Sequence, residues 1–266
     1  MELILFTKPL QELDLPGVIA FAQRVGVSGL DLALRPGFPV NPDNAAQALP
    51  EAVARCREAG LSLPLVSLPT DFADPSHPQA AAVAAACAQA GVNLVKLGYF
   101  PYRGDYWAGF GQARQALASF ARLAADQGVR FCYHTHSGPY YGSNGESLAQ
   151  LLAEVSPDQV GAYLDTGHQR LGGAPWPMAL DAVRSHLCAL GLKDPAYHRR
   201  EDGRWQREFV PIGQGLVDWG EVFRAAREAG FAGPASIHAE YHYRSLQELE
   251  SLLQREVAYL RSHLQG

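Results

Sequence analysis

Eight times between Glu2 and His263 the chain alternates a short apolar or β-branched run with a segment of helical spacing, one unit per roughly 30 residues. Few architectures accept that rhythm. Strand–helix units in succession build a parallel sheet covered by helices, and eight units in 266 residues point to a (β/α)8 TIM barrel, one domain over 1–266. A doubly wound open sheet is the rival. It calls for a glycine-rich phosphate loop after the first strand, and Thr7-Lys8-Pro9-Leu10 is not one.

The strands are expected at Glu2–Thr7, Gly29–Leu34, Leu61–Ser67, Val92–Leu97, Val129–Thr135, Gln159–Asp165, Leu187–Lys193 and Pro234–Glu240. Helices are expected between them, the longest over Trp107–Gln127, and Leu246–His263 closes the chain. Thr166–Pro175 reads as a loop, and Asp194–Leu216 as a connection too long to be idle in a compact domain.

A formal charge of −5 and a pI near 6.0 argue against a nucleic-acid-binding surface. No segment reaches the ~18 apolar residues of a membrane span, and Leu3–Phe6 behind Glu2 does not read as a signal peptide. Cys56, Cys87, Cys132 and Cys188 stand singly with no CxxC, as expected of reduced thiols in a cytoplasmic protein.

In a barrel of this kind the chemistry gathers at the C-terminal ends of the strands. The three lysines, against 19 arginines, fall at such ends: Lys8, Lys96 and Lys193. Arg35 follows strand two. Together these cations suit a phosphate or carboxylate, or the polarising of a carbonyl oxygen. Alternation puts Cys132, His134 and His136 on one face of strand five, and Ser236, His238 and Glu240 on one face of strand eight. Asp165 ends strand six, with His168 just after it. Buried charge needs a partner or a metal, so these histidines and acids are expected to share one polar cavity. Imidazoles with carboxylates suit Zn²⁺ or Mn²⁺. A metal-free hydrogen-bonded cluster would use the same residues, and residue types do not separate the two. Tyr99, Tyr102, Trp107, Tyr140, Tyr141 and Trp205 lie in or beside the loops after the strands, as pocket walls or as lid packing.

Taken in order, several segments resemble the xylose isomerase-like TIM-barrel superfamily. They are Gly29-Leu30-Asp31-Leu32 with Arg35-Pro36-Gly37, Tyr133-His134-Thr135-His136-Ser137-Gly138, and Asp165-Thr166-Gly167-His168. Gly191-Leu192-Lys193-Asp194, Val210 through Trp219, and Gly233 through Tyr241 complete the set. The superfamily holds sugar and sugar-phosphate isomerases and epimerases, inosose dehydratase and endonuclease IV. Its metal ligands are usually Glu, Asp, His and Glu from strands five to eight. The resemblance puts Asp165 at the aspartate, His134 at the strand-five Glu, Gly191 at the strand-seven His, and His238 at the strand-eight Glu. Glu240 lies two residues beyond. His136 and His168 agree with accessory histidines of the family. The extra ligands of endonuclease IV are missing, since Arg207, Glu208 and Phe209 occupy that loop.

The resemblance implies a sugar, sugar-phosphate or polyol isomerase, epimerase or dehydratase that abstracts a proton next to a carbonyl. Glu240 is the expected base, with His134 or His238 as alternates. Lys193 would stabilise the enediolate oxygen, with His136 and His168 beside it. His134, Asp165, His238 and Glu240 are the expected ligands of a divalent ion. Lys8, Arg35, Lys96, Tyr141 and Trp205 are expected to bind a small polyhydroxylated, and by its cation set anionic, substrate. The altered ligand set also admits a barrel that has lost catalysis and kept sugar binding. An endonuclease is the weakest reading.

Overall fold

A computed structural model describes residues 1–264. Eight parallel strands close into a barrel: β1 (Glu2–Phe6), β2 (Gly29–Ala33), β3 (Ser62–Ser67), β4 (Leu94–Lys96), β5 (Arg130–His134), β6 (Val160–Asp165), β7 (Leu187–Leu192) and, closing onto β1, β10 (Pro234–Ile237). Between β7 and β10 lie two further strands, β8 (Asp194–Arg199) and β9 (Trp205–Val210), paired antiparallel outside the barrel. The helices are α1 (Leu15–Val25), α2 (Ala45–Glu58), α3 (Ala80–Ala90), α4 (Tyr106–Gln127), α5 (Gly145–Leu152), α6 (Thr166–Gly172), α7 (Trp176–Ala182), α8 (Trp219–Glu228) and α9 (Leu246–Leu264).

The main core lies between the strands and the helices. Leu117, Phe120 and Ala121 of α4 pack on β5, where the rings of Phe120 and Phe131 meet edge to face at 5.1 Å. Gly128 ends α4 in the left-handed conformation (φ 72°), and β5 starts two residues later. Inside the barrel a smaller cluster, Ile4, Leu65, Cys132, Tyr163, Cys188 and Ala189, plugs the N-terminal half. Above it the inward positions turn polar: Asp31, Ser67, Lys96, His134, Asp165, Ser236 and His238 are all buried. A barrel whose upper half is filled with polar side chains has its working end there.

Three expectations are corrected. Asp194–Leu216 holds the β8–β9 hairpin, and Thr166–Pro175 begins with about two helical turns, α6, capped by the Asp165 carboxylate accepting from His168 N–H at 2.7 Å. Strand eight stops at Ile237 rather than Glu240. The Glu240 N–H donates to the His238 carbonyl at 2.8 Å, a tight turn that breaks the strand alternation.

The run around Asp194 is largely a latch. Its buried carboxylate accepts from the Gly213, Gly215 and Val217 N–H groups and from Trp219 Nε1, all at 2.9–3.1 Å, and so ties the hairpin's return to α8. Close by, Glu256 of α9 is buried and accepts from Ile212 N–H at 3.0 Å. Burial raises its pKa from the ordinary carboxylate value to about 7. A raised carboxyl binds more protons folded than unfolded, so its ionisation costs stability as pH rises from about 4.5 to about 7. Glu256→Gln keeps the acceptor and removes the titration. Thermal melts are expected to show the variant's advantage growing over that window to roughly 2–3 kcal/mol and flat above it. A constant difference from pH 5 to 8 would refute it.

Candidate active site

The C-terminal mouth holds a cavity of about 50 Å³ lined by Lys8, Arg35, Lys96, His134, His136, Lys193, His238 and Glu240, with Phe6, Ser67, Thr70 and Tyr99. All three lysines thus stand at one end of the barrel, as their strand-end positions lead one to expect. The Glu240 carboxylate is shared, Oε1 with Lys8 and Oε2 with Lys193. The two ammoniums differ in setting: the Lys8 side chain is half exposed, that of Lys193 fully buried. Burial alone would raise the Glu240 carboxyl, but the charges of Lys193, His238 and Lys8 outweigh it and hold the group well below the usual carboxylate range.

Beneath this pair lie His134, Asp165 and His238, whose ligand atoms are all within 4.8 Å of one another. His134 Nε2 is 3.4 Å and His238 Nδ1 3.9 Å from Asp165 Oδ2. His134 Nε2 and Asp165 Oδ2 are buried with no hydrogen-bond partner. Orphaned buried polar atoms are costly, and here they face each other across a gap. Two donors on a tetrahedral zinc ion at about 2.1 Å would sit about 3.4 Å apart, so the spacing fits a divalent ion. Glu240, expected as a fourth ligand, is not in this group, because both its oxygens are held by lysines.

The outer nitrogens of the two imidazoles are already engaged. His134 Nδ1 lies 3.2 Å from the Tyr99 hydroxyl, and His238 Nε2 lies 2.8 Å from that of Tyr163. The Tyr163 hydroxyl donates to Asp31 Oδ2, so it accepts the Nε2–H of His238, and Nδ1 faces Asp165. Asp31 is buried in β2 and also accepts from Ser67 and Ser236 hydroxyls at 2.7 and 3.0 Å. Such outer bonds orient metal-binding histidines. Burial pushes His134 well below its usual range, helped by the charges of His238, Lys96 and Lys193, so it is neutral at pH 7.

A second histidine pair flanks Lys193. The rings of His136 and His168 are 4.1 Å apart, and Lys193 Nζ is 3.3 Å from His168 Nε2. The ammonium can only donate, so Nε2 accepts and the His168 Nδ1–H donates to Ser137 Oγ at 2.9 Å. Arg207 of the hairpin reaches the same hydroxyl at 3.2 Å. Burial lowers both His168 and His136, and Lys193 adds to it.

Lys96 is 3% exposed, and its ammonium sits 4.0 Å over the Tyr99 ring with no carboxylate bound to it among the described residues. Arg35 lies over Phe6 at 5.3 Å and donates weakly to the Ser67 carbonyl at 3.5 Å. A ring face offers about 0.5–2 kcal/mol. That falls short of the several kcal/mol it costs to bury an ammonium. Burial and then the Arg35 charge bring the Lys96 pKa down to about 7.

Two expected wall residues are elsewhere. Tyr141 points outward, its hydroxyl donating to the Asp105 carbonyl at 2.9 Å and its ring among Tyr106 and Phe110. Its neighbour Tyr140 faces inward, 5.1 Å from His136, because the strand-like bridge to Pro101 alternates the two rings. Trp205 is 68% exposed on the hairpin and does not line the cavity. Asp31, Tyr163 and Ser67 also belong to this cluster, although the sequence pattern alone does not single them out for it. The inward register of Asp31, an acid in an otherwise apolar strand, was the available signal.

Residues 19–263 match the family model described as xylose isomerase-like TIM barrel. An inosose dehydratase of Geobacillus thermodenitrificans is 27% identical over 44% of this chain and 43% of that protein. One from Lactiplantibacillus plantarum is 26% identical over 56% and 53%. The chain thus matches about half the length of these curated relatives. Among solved structures, a D-psicose 3-epimerase from Clostridium cellulolyticum aligns with TM-score 0.77 at 18% identity, covering 99% of both chains. A 3-keto-D-glucoside 4-epimerase from E. coli aligns with TM-score 0.77 at 13% identity, covering 98% of this chain and 99% of that one. At such identities the structural likeness concerns the fold.

Proposed function

This chain belongs to the xylose isomerase-like TIM-barrel family, and from that premise we propose that it is a sugar or polyol isomerase, epimerase or dehydratase working by proton abstraction next to a carbonyl. One observation carries the reading: a carboxylate, Glu240, bridges to the buried Lys193 above a pocket of two imidazoles and a carboxylate. Inosose dehydratases and ketose 3-epimerases, the relatives and neighbours named above, support it, since their names denote reactions of polyhydroxylated substrates.

In this proposal Glu240 accepts the proton, and Lys193 turns from Glu240 to the oxygen on which negative charge develops. A divalent ion, zinc or manganese, held by His134, Asp165 and His238 would supply Lewis-acid polarisation of that oxygen. Lys8 is the exposed member of the mouth pair, so it yields first when a sugar enters the small cavity. His168, neutral and fixed by Ser137, holds Lys193 on its other side. Tyr99 walls the pocket, with the Tyr140 ring packed against it and against His136. The protein is taken to act in the cytoplasm as a single barrel domain, in keeping with four free, buried thiols. No helix of the described residues is long and apolar enough to cross a membrane.

The test is proton exchange. Protein supplied with Zn²⁺ or Mn²⁺ is incubated in D₂O with a panel of ketoses, inososes and their phosphates, and NMR follows the carbon next to the carbonyl. Deuterium entering that carbon, or product appearing, is the expected result. Ligand binding with no exchange across the panel would leave the sugar-binding barrel without catalysis as the better account.

A further inference from the structure

The cations of the mouth fall into two unlike sets. Lys8 and Lys193 are satisfied by Glu240. Arg35 and Lys96 are not: among the described residues neither has a carboxylate partner, and each rests on an aromatic face. They lie side by side in the barrel. Ala33, Ser67 and Lys96 are level with one another across β2, β3 and β4, and Arg35 follows Ala33 by two residues. Both side chains line the same cavity as Glu240. Lys96 is almost wholly buried, so bulk water does little to offset its charge.

We infer that Arg35 and Lys96 form an anion subsite, so that the substrate is a polyhydroxylated compound bearing a carboxylate or phosphoryl group. This rests on the proposed function and narrows it from sugars in general to their acids and phosphates. The chemistry is direct. A planar guanidinium can grip two oxygens of the anion while the compact ammonium takes a third contact. The charged end then lies over β2–β4, and the rest of the chain of hydroxyls extends across the mouth toward Lys193 and Glu240 on the far wall. Charge would thus set the substrate's direction in the site as well as its class. The Arg35 charge disfavours the charged form of Lys96, and a ligand anion bound between the two would offset that repulsion.

The experiment is calorimetric titration of the intact protein at fixed ionic strength and pH 7 with four probes. These are D-glucitol, D-gluconate, D-glucitol 6-phosphate and inorganic phosphate. At least one of gluconate and glucitol 6-phosphate is expected to bind 10-fold or more tightly than glucitol, and which one does so separates carboxylate from phosphoryl recognition. Arg35→Met and Lys96→Met should each erase that preference, so that charged and neutral polyols bind alike. Should Lys96→Met fold poorly, Arg35→Met alone decides, since Arg35 is less buried. Glucitol binding as tightly as both charged polyols overturns the proposal, as does no binding by any charged probe. Inorganic phosphate binding as tightly as glucitol 6-phosphate, and lost in Arg35→Met, would uphold the anion subsite and sink the polyol reading on which it was built.

Discussion

Glu240→Gln is expected to lower turnover by roughly 10²–10⁴-fold per folded molecule, the range for loss of a positioned general base. The expectation follows from where the carboxylate sits. Among the described residues it is the one acid lining the mouth cavity, and it touches the Lys8 and Lys193 ammoniums. Held below the usual carboxylate range, it is ionised throughout the neutral region and ready to accept a proton. The same pairing makes it a weak base until Lys193 and Lys8 move to substrate oxygens, so catalysis and substrate charge are linked. The rival account is a strut that holds the rim. Gln would strip the buried Lys193 of its counter-charge, so a lower melting temperature is expected on either account and decides nothing. The rate decides. A variant that melts earlier but turns over normally per folded molecule would reduce Glu240 to a strut. The pH dependence has a definite sign. A depressed carboxyl binds fewer protons folded than unfolded, so its stabilisation is present above the unfolded value near 4.5 and is lost as pH falls below it. The stability gap between wild type and Glu240→Gln should therefore be constant from pH 6 to 8 and close in acid.

How much of this was legible beforehand depended on whether a feature repeats. The barrel strands recur as apolar runs bounded by glycine and polar turns, so all eight were found, with ends misplaced by one to three residues. The ends slip because the hydrogen-bonded ladder stops where the strands splay, as at Ile237, while the apolar pattern runs on through Ala239. The β8–β9 hairpin escaped for the opposite reason. Tyr197, His198, Arg199 and Trp205 through Glu208 are exposed on both faces, so no alternation marks them. Helix α6 is short, glycine-bearing and buried, and is held by a single cap rather than by a periodic face. At the site, the scarce residue types, lysines among many arginines and histidines at strand ends, meet at one cavity of the mouth. What they could not give was pairing. That Glu240 lies with Lys8 and Lys193, rather than with His134 and Asp165, follows from the turn after His238. Nothing in the alternation of strand eight encodes that turn.

Asp165→Asn is expected to weaken binding of Zn²⁺ or Mn²⁺ by more than about 100-fold, the upper end of what outer-sphere changes alone produce. The substitution is chosen because it leaves the rest of the aspartate's work intact. Asn Oδ1 can still accept from His168 N–H and so cap α6, and its amide can donate to His134 Nε2 across the present 3.4 Å gap. The metal-free variant should therefore melt no lower than the metal-free wild type, since an orphaned buried carboxylate oxygen has gone. Added zinc separates the two. At 100 times its dissociation constant an ion bound only to the folded state stabilises by about 2.7 kcal/mol. For a domain of 266 residues that is a rise in Tm of roughly 5 °C. Wild type should show that rise, and Asp165→Asn should not at the same zinc concentration. Elemental analysis of the purified proteins gives the same comparison without heating. If instead His134, Asp165 and His238 serve only as a hydrogen-bonded cluster, wild type will carry no metal and gain nothing from zinc. Asp165→Asn will then differ from wild type by the same amount with and without zinc, because neither protein has an ion to gain.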